Sequence, residues 1–171
     1  FVAQRYDPTI KRNIGRVYYK KYQDSGKLRF LKKASSYNKS SYGEEYARQS
    51  LKKGMDVSQS EWEERAKEAQ EYLSEQEILQ LSVDYYTQKW GEPQKVVLDD
   101  NKWKKVCEIQ EGDKVHFLSL YGFKDKYGNK WDRAFTSEYT STFYGVNQGG
   151  EIIHIKERGH PTTVFFWKNK K

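Results

Sequence analysis

Apolar and polar positions alternate along the second half of the chain and step at helical intervals through much of the first. The densest stretch is residues 114–155. Its opening run places Val115, Phe117, Tyr121 and Phe123 on one parity and His116, Leu118 and Leu120 on the other. With further β-prone runs at 95–98, 103–109, 130–146, 151–158 and 162–167, this predicts six antiparallel strands joined as a meander. The turns between them are Asp99-Asp100-Asn101, Glu111-Gly112-Asp113, residues 125–129, and Gly149-Gly150. Val115, Phe117, Tyr121, Phe143 and Ile153 are the core candidates of the sheet.

Upstream the period changes. Ser41 and Glu44 have the spacing of a capping box ahead of a helix over 42–53, which Gly54 ends. Trp62, Ala66, Ala69 and Leu73 mark one helical face, and Leu79, Val83, Tyr86 and Trp90 mark another. The phase breaks near Ser74, so 60–89 reads as two consecutive helices or one kinked helix. Trp90-Gly91-Glu92-Pro93 closes this region, because glycine caps a helix and proline cannot continue it. Residues 1–13 read as a basic arm. Between 14 and 34, two runs rich in Tyr, Val and Leu flank Asp24-Ser25-Gly26, which predicts a β-hairpin. The fold class is therefore α+β in a single domain, 1–171. The N-terminal hairpin and amphipathic helices (14–90) pack on a C-terminal antiparallel meander (95–167) that curls toward a partly closed barrel.

Charge adds an asymmetry to this layout. Residues 1–57 carry 14 Lys/Arg against 5 Asp/Glu, residues 58–100 carry 4 against 11, and residues 101–171 carry 13 against 8. A basic–acidic–basic chain either turns its acidic segment away from an anionic partner or neutralises part of itself. The basic residues interleave with tyrosine at Arg12, Arg16, Tyr18, Lys20, Tyr22, Lys27, Arg29, Lys32 and Lys33. Lys and Arg neutralise phosphates, and exposed tyrosine rings stack on unpaired bases, so these nine are the candidate nucleic-acid-binding residues. Residues 109–115 resemble the opening hairpin of many small barrels, nucleic-acid-binding ones among them.

Other chemistry is thin. His116 and His154 lie on strands of the same meander and would form a general acid–base pair if those strands were neighbours. Cys107, the one cysteine, reads as a small buried hydrophobe. The histidines and Cys107 lack metal-ligand spacing, and neither Gly149-Gly150 nor Gly112 opens a phosphate loop, so no metal or cofactor is expected. No run is long enough to span a bilayer. A single cysteine fits a reducing intracellular compartment, and an opening on Phe1 fits removal of a targeting segment. The expected role is a non-enzymatic, RNA-leaning nucleic-acid-associated component of a larger assembly. The alternatives are an accessory subunit docking on an acidic protein partner, and a small phosphodiesterase using His116 and His154.

Overall fold

A computed structural model describes residues 7–109, 113–120, 122–126, 130–131, 139–143, 151–157 and 159–168. The chain divides into two units, Phe1–Ser74 and Glu75–Lys171. The first is helical where described. The second holds one helix and, among the described residues, eight strands.

The first unit corrects the predicted hairpin. Residues 14–34 belong to two helices, α1 (Pro8–Ser25) and α2 (Leu28–Tyr37). Asp7 caps α1 by accepting from the backbone N–H groups of Thr9 and Ile10 at 2.8 and 3.0 Å, and Pro8 occupies the first turn, where its missing N–H costs nothing. The arm read at 1–13 is thus a helix start from Asp7 onward. Gly26, at φ 68°, is the left-handed C-cap and donates to Tyr22 O. The same Asp-Ser-Gly signal that suggested a hairpin turn ends a helix here. Gly15 is buried, and a Cβ there would lie 3.2 Å from Tyr42 Cε2 and 3.6 Å from Ala34 O, so α1 approaches its neighbours closely. Around it Tyr18 stacks on Tyr37 (6.0 Å between centroids) and Tyr19 on Tyr42 (4.8 Å). The tyrosines that favoured strands by propensity are held in a helix by this packing.

Two further helices follow, α3 (Lys39–Lys53) and α4 (Gln59–Ala69), joined through a 3-10 turn at Gly54–Asp56. α3 starts earlier than its predicted capping box, so Ser41 lies inside the helix, and Glu44 pairs with Arg48 one turn on at 3.2 Å. Ser58 caps α4, accepting from Glu61 N, while the Glu61 carboxylate pairs with Arg65. The predicted helical face is buried, Trp62, Ala66 and Ala69 on α4 and Leu73 just beyond it, together with Leu31, Ala34, Ala47 and Leu51.

Gly43 is the tight point of this unit. A Cβ there would overlap the Tyr72 ring, which meets Tyr46 edge-on at 6.2 Å. Gly43→Ala must push the ring away, and overpacking of this kind costs about 1–3 kcal/mol. A lowered melting temperature is expected; an unchanged one would show that Tyr72 swings aside without loss.

In the second unit α5 (Glu75–Trp90) precedes β1 (Gln94–Leu98), β2 (Lys104–Ile109), β3 (Asp113–Ser119), β4 (Phe123–Asp125), β5 (Lys130–Trp131), β6 (Tyr139–Phe143), β7 (Glu151–Glu157) and β8 (Thr162–Lys168). Gly91, at φ 88°, follows α5 as read from the sequence, but the division of the chain falls earlier, at Ser74, because α5 packs on the strands after it. The strands are antiparallel but do not form a meander. One sheet has the order β1-β8-β3-β6 and the other β2-β7-β4-β5. The turn at residues 99–101 passes from one sheet to the other, and the long run at 130–146 contributes β5 to one and β6 to the other. No sheet closes into a barrel among the described residues.

The sheets instead share a core of Leu98, Val115, Phe117, Val164 and Phe166 from the first, and Val106, Ile109, Phe123 and Ile155 from the second. Phe117 meets Phe123 edge-on at 5.3 Å across it. Burying side chains of this size contributes about 1.5–3 kcal/mol each. Of the predicted core, Val115 and Phe117 are here; Tyr121 lies outside the described residues, as do the side chains of Phe143 and Ile153. The opposite parity of β3, His116 and Leu118, is buried under α5, so β3 is covered on both faces.

Candidate nucleic-acid interface

The nine predicted binding residues all fall on or between α1 and α2, and helical geometry sorts them into two groups. Arg12, Arg16 and Lys20 recur every fourth residue and are exposed along one stripe of α1. Lys20 pairs with Asp24 at 3.2 Å. Arg29 and Lys33 are exposed one turn apart on α2, and Lys27 is exposed in the link between the helices. Among the described residues none of Arg12, Arg16, Arg29 and Lys33 takes part in an ion pair. Lys32 is drawn the other way, with its ammonium 3.9 Å from Glu68 and above the Tyr46 ring. Lys39 pairs with Glu71 at 3.3 Å. Glu68 of α4 and Glu71 just beyond it thus pair with Lys32 and Lys39, while Arg12 and Arg16 of the stripe take part in no ion pair among the described residues.

The two tyrosines of the set do not serve as platforms. Tyr18 is half-buried, stacked on Tyr37 and covered by Lys21 at 5.4 Å. Tyr22 is half-buried near Tyr19 and Glu45, and both burial and that carboxylate raise its pKa above the ordinary value. Tyr19 is raised too, first by a hydrogen bond to Glu45. A carboxylate inside the tyrosine seam opposes a phosphate. Sequence reasoning missed Lys21, whose ammonium bridges Tyr18 of α1 and Phe30 of α2 (5.8 Å), beside Arg29 over the same Phe30 ring at 4.8 Å. Its signal was the i, i+3 spacing from Tyr18, visible only once the segment is a helix.

The histidine pair is not assembled. His116 sits on β3 and faces α5, whereas His154 sits on β7 in the other sheet, on the parity opposite the buried Ile155. The two imidazoles therefore point away from each other, because strand partners are set by pairing across the sheet and not by order along the chain. His116 lies among Tyr86 (4.7 Å), Trp90 (4.8 Å) and Trp167 (6.1 Å), and burial lowers its pKa to about 3, so it is neutral at physiological pH. Trp167 Nε1 donates to Gly91 O at 2.9 Å, which ties the end of α5 to this cluster. The arrangement anchors a helix. Burial likewise pushes the Cys107 thiol up to about 11, away from reactivity.

A groove of about 250 Å³ lies between the start of α5 and the first sheet, lined by Gln76, Leu79, Gln80, Leu120, Thr162, Thr163 and Phe165. None of these side chains is an acid or a base at neutral pH, so the groove can hold a small molecule but supplies no proton transfer. Among the described residues no three His, Cys, Asp or Glu gather as metal ligands would. No helix among them is long and apolar enough to cross a membrane. The chain matches no protein-family model, and no curated protein or solved structure matches it significantly.

Proposed function

We propose that this protein is a non-enzymatic nucleic-acid-binding component, RNA-leaning, that engages the phosphate backbone through the exposed basic faces of α1 and α2. The observation that carries this reading is the stripe Arg12–Arg16–Lys20, two of whose three cations have no ion-pair partner among the described residues while Lys32 and Lys39 are drawn to Glu68 and Glu71. Binding of this kind releases counterions and weakens steeply with salt. Arg12→Ala/Arg16→Ala is expected to weaken binding to oligo(U) at low salt about tenfold or more and to lower the salt slope by about 1.4 for two lost phosphate contacts. Fluorescence anisotropy over a salt series checks it. An unchanged slope would move the contact elsewhere.

A second reading, an accessory subunit docking on an acidic protein partner, draws on Ile10 and Val17, large apolar residues exposed on α1 (43 % and 56 %) one heptad apart. Val17→Glu would then abolish assembly while sparing oligonucleotide binding.

A further inference from the structure

We propose that the outer face of the sheet β2-β7-β4-β5 is a platform for single-stranded nucleic acid, with Trp103 stacking on a base and Lys105, Lys124 and Lys156 on phosphates. This rests on the nucleic-acid reading above and adds the base contact that the tyrosines of α1 do not supply.

The ladder sets the geometry. Val106, Ile109, Phe123 and Ile155 point into the shared core, so the alternate positions Lys105, Glu108, Lys124, His154 and Lys156 point outward. The β-bulge between Lys105 and Cys107 keeps this parity, sending Val106 and Cys107 inward together. One cross-strand pair on this face is then cationic on both sides, and a second sets a lysine against a histidine. Lys124 stands opposite Lys156, and Lys105 opposite His154. Like charges directly opposite each other destabilise a sheet. Glu108, 3.3 Å from Lys105, is the one acid described on this face, and among the described residues neither Lys124 nor Lys156 is ion-paired.

Trp103 completes the surface. It continues the ladder beyond Lys104↔Ile155, is 41 % exposed, and has the Lys156 ammonium 4.9 Å from its ring centroid. A flexible lysine over an exposed indole can move to a phosphate as a base takes its place on the ring. Lysines on three adjacent strands, beside an exposed aromatic, match a backbone with unstacked bases. A duplex keeps its bases stacked inside and offers the indole nothing.

The test measures binding of the full chain to oligo(U) and to a duplex RNA. Trp103→Ala is expected to weaken oligo(U) binding about 5- to 150-fold, the range for losing one base stack, and to leave the duplex unaffected. Trp103→Phe restores most of the loss. Lys124→Ala/Lys156→Ala weakens both ligands while leaving thermal stability close to the parent's, since the relieved repulsion offsets the lost Lys156–Trp103 contact. If these variants bind oligo(U) as the parent does while Arg12→Ala/Arg16→Ala does not, the platform is overturned and the α1 reading stands. Equal losses on both ligands for Trp103→Ala overturn the stacking. No binding by the parent chain at low salt overturns both.

Discussion

Lowering the pH from about 6 to about 4 is expected to destabilise the second unit by about 1.4 kcal/mol per pH unit, and His116→Phe to remove that dependence. His116 is 4 % exposed, and burial holds its imidazole at about 3 against an ordinary 6.5. The folded state therefore binds the proton more weakly than the unfolded chain. Above about 6.5 neither state is protonated and the full stability is present. As pH falls below that value the unfolded chain takes up the proton and the folded one does not, so stability declines until pH nears 3. Desolvation among Tyr86, Trp90 and Trp167 is the cause, and the phenyl ring of the variant suits those neighbours. Exposed carboxylates titrate alike in both proteins, so the difference between their urea midpoints across pH, followed by tryptophan fluorescence, isolates His116. Parallel pH profiles would show that the folded unit admits the proton.

What the chain revealed about itself followed the range of the interactions involved. The faces of α4 and α5 were legible because a helical face recurs within one segment: Trp62, Ala66 and Ala69 are buried as their spacing required. So was the parity of β3, where Val115 and Phe117 alternate with His116 and Leu118. The first two helices were misread because local signals were degenerate. Asp24-Ser25-Gly26 serves a hairpin or a helix end equally well, and the tie was broken by Asp7 and Pro8, which stood inside the arm read at 1–13. Strand partners were beyond reach, since β1 pairs with β8 and β2 with β7, pairings that no turn sequence specifies. The candidate sites inherited both errors. A helix turned Tyr18 and Tyr22 into a packing seam, the sheet order separated His116 from His154, and the same order brought Trp103 beside Lys156 from a distant part of the chain.

The first unit's stability should rest most heavily on a single side chain. Trp62 is completely buried near the start of α4, and the other buried hydrophobics of that unit among the described residues are Leu31, Ala34, Tyr46, Ala47, Leu51, Ala66, Ala69 and Leu73. Alanines on the same face of α4 let the helix come close but cannot fill the volume of a lost indole. Trp62→Ala then loses the transfer energy of the ring and leaves a cavity, about 3–5 kcal/mol together. A unit of this size is stable by only about 4–11 kcal/mol, so the variant loses from about a quarter to all of that stability. The helical circular dichroism should fall at much lower urea than in the parent, and Trp62→Phe, which keeps most of the apolar surface, should lie between. The second unit's response to pH should not change. A helical transition that stays in place in Trp62→Ala would mean that α4 repacks onto α3 without the indole, and that the tight approach at Gly43, rather than the aromatic beneath α4, holds the helices together.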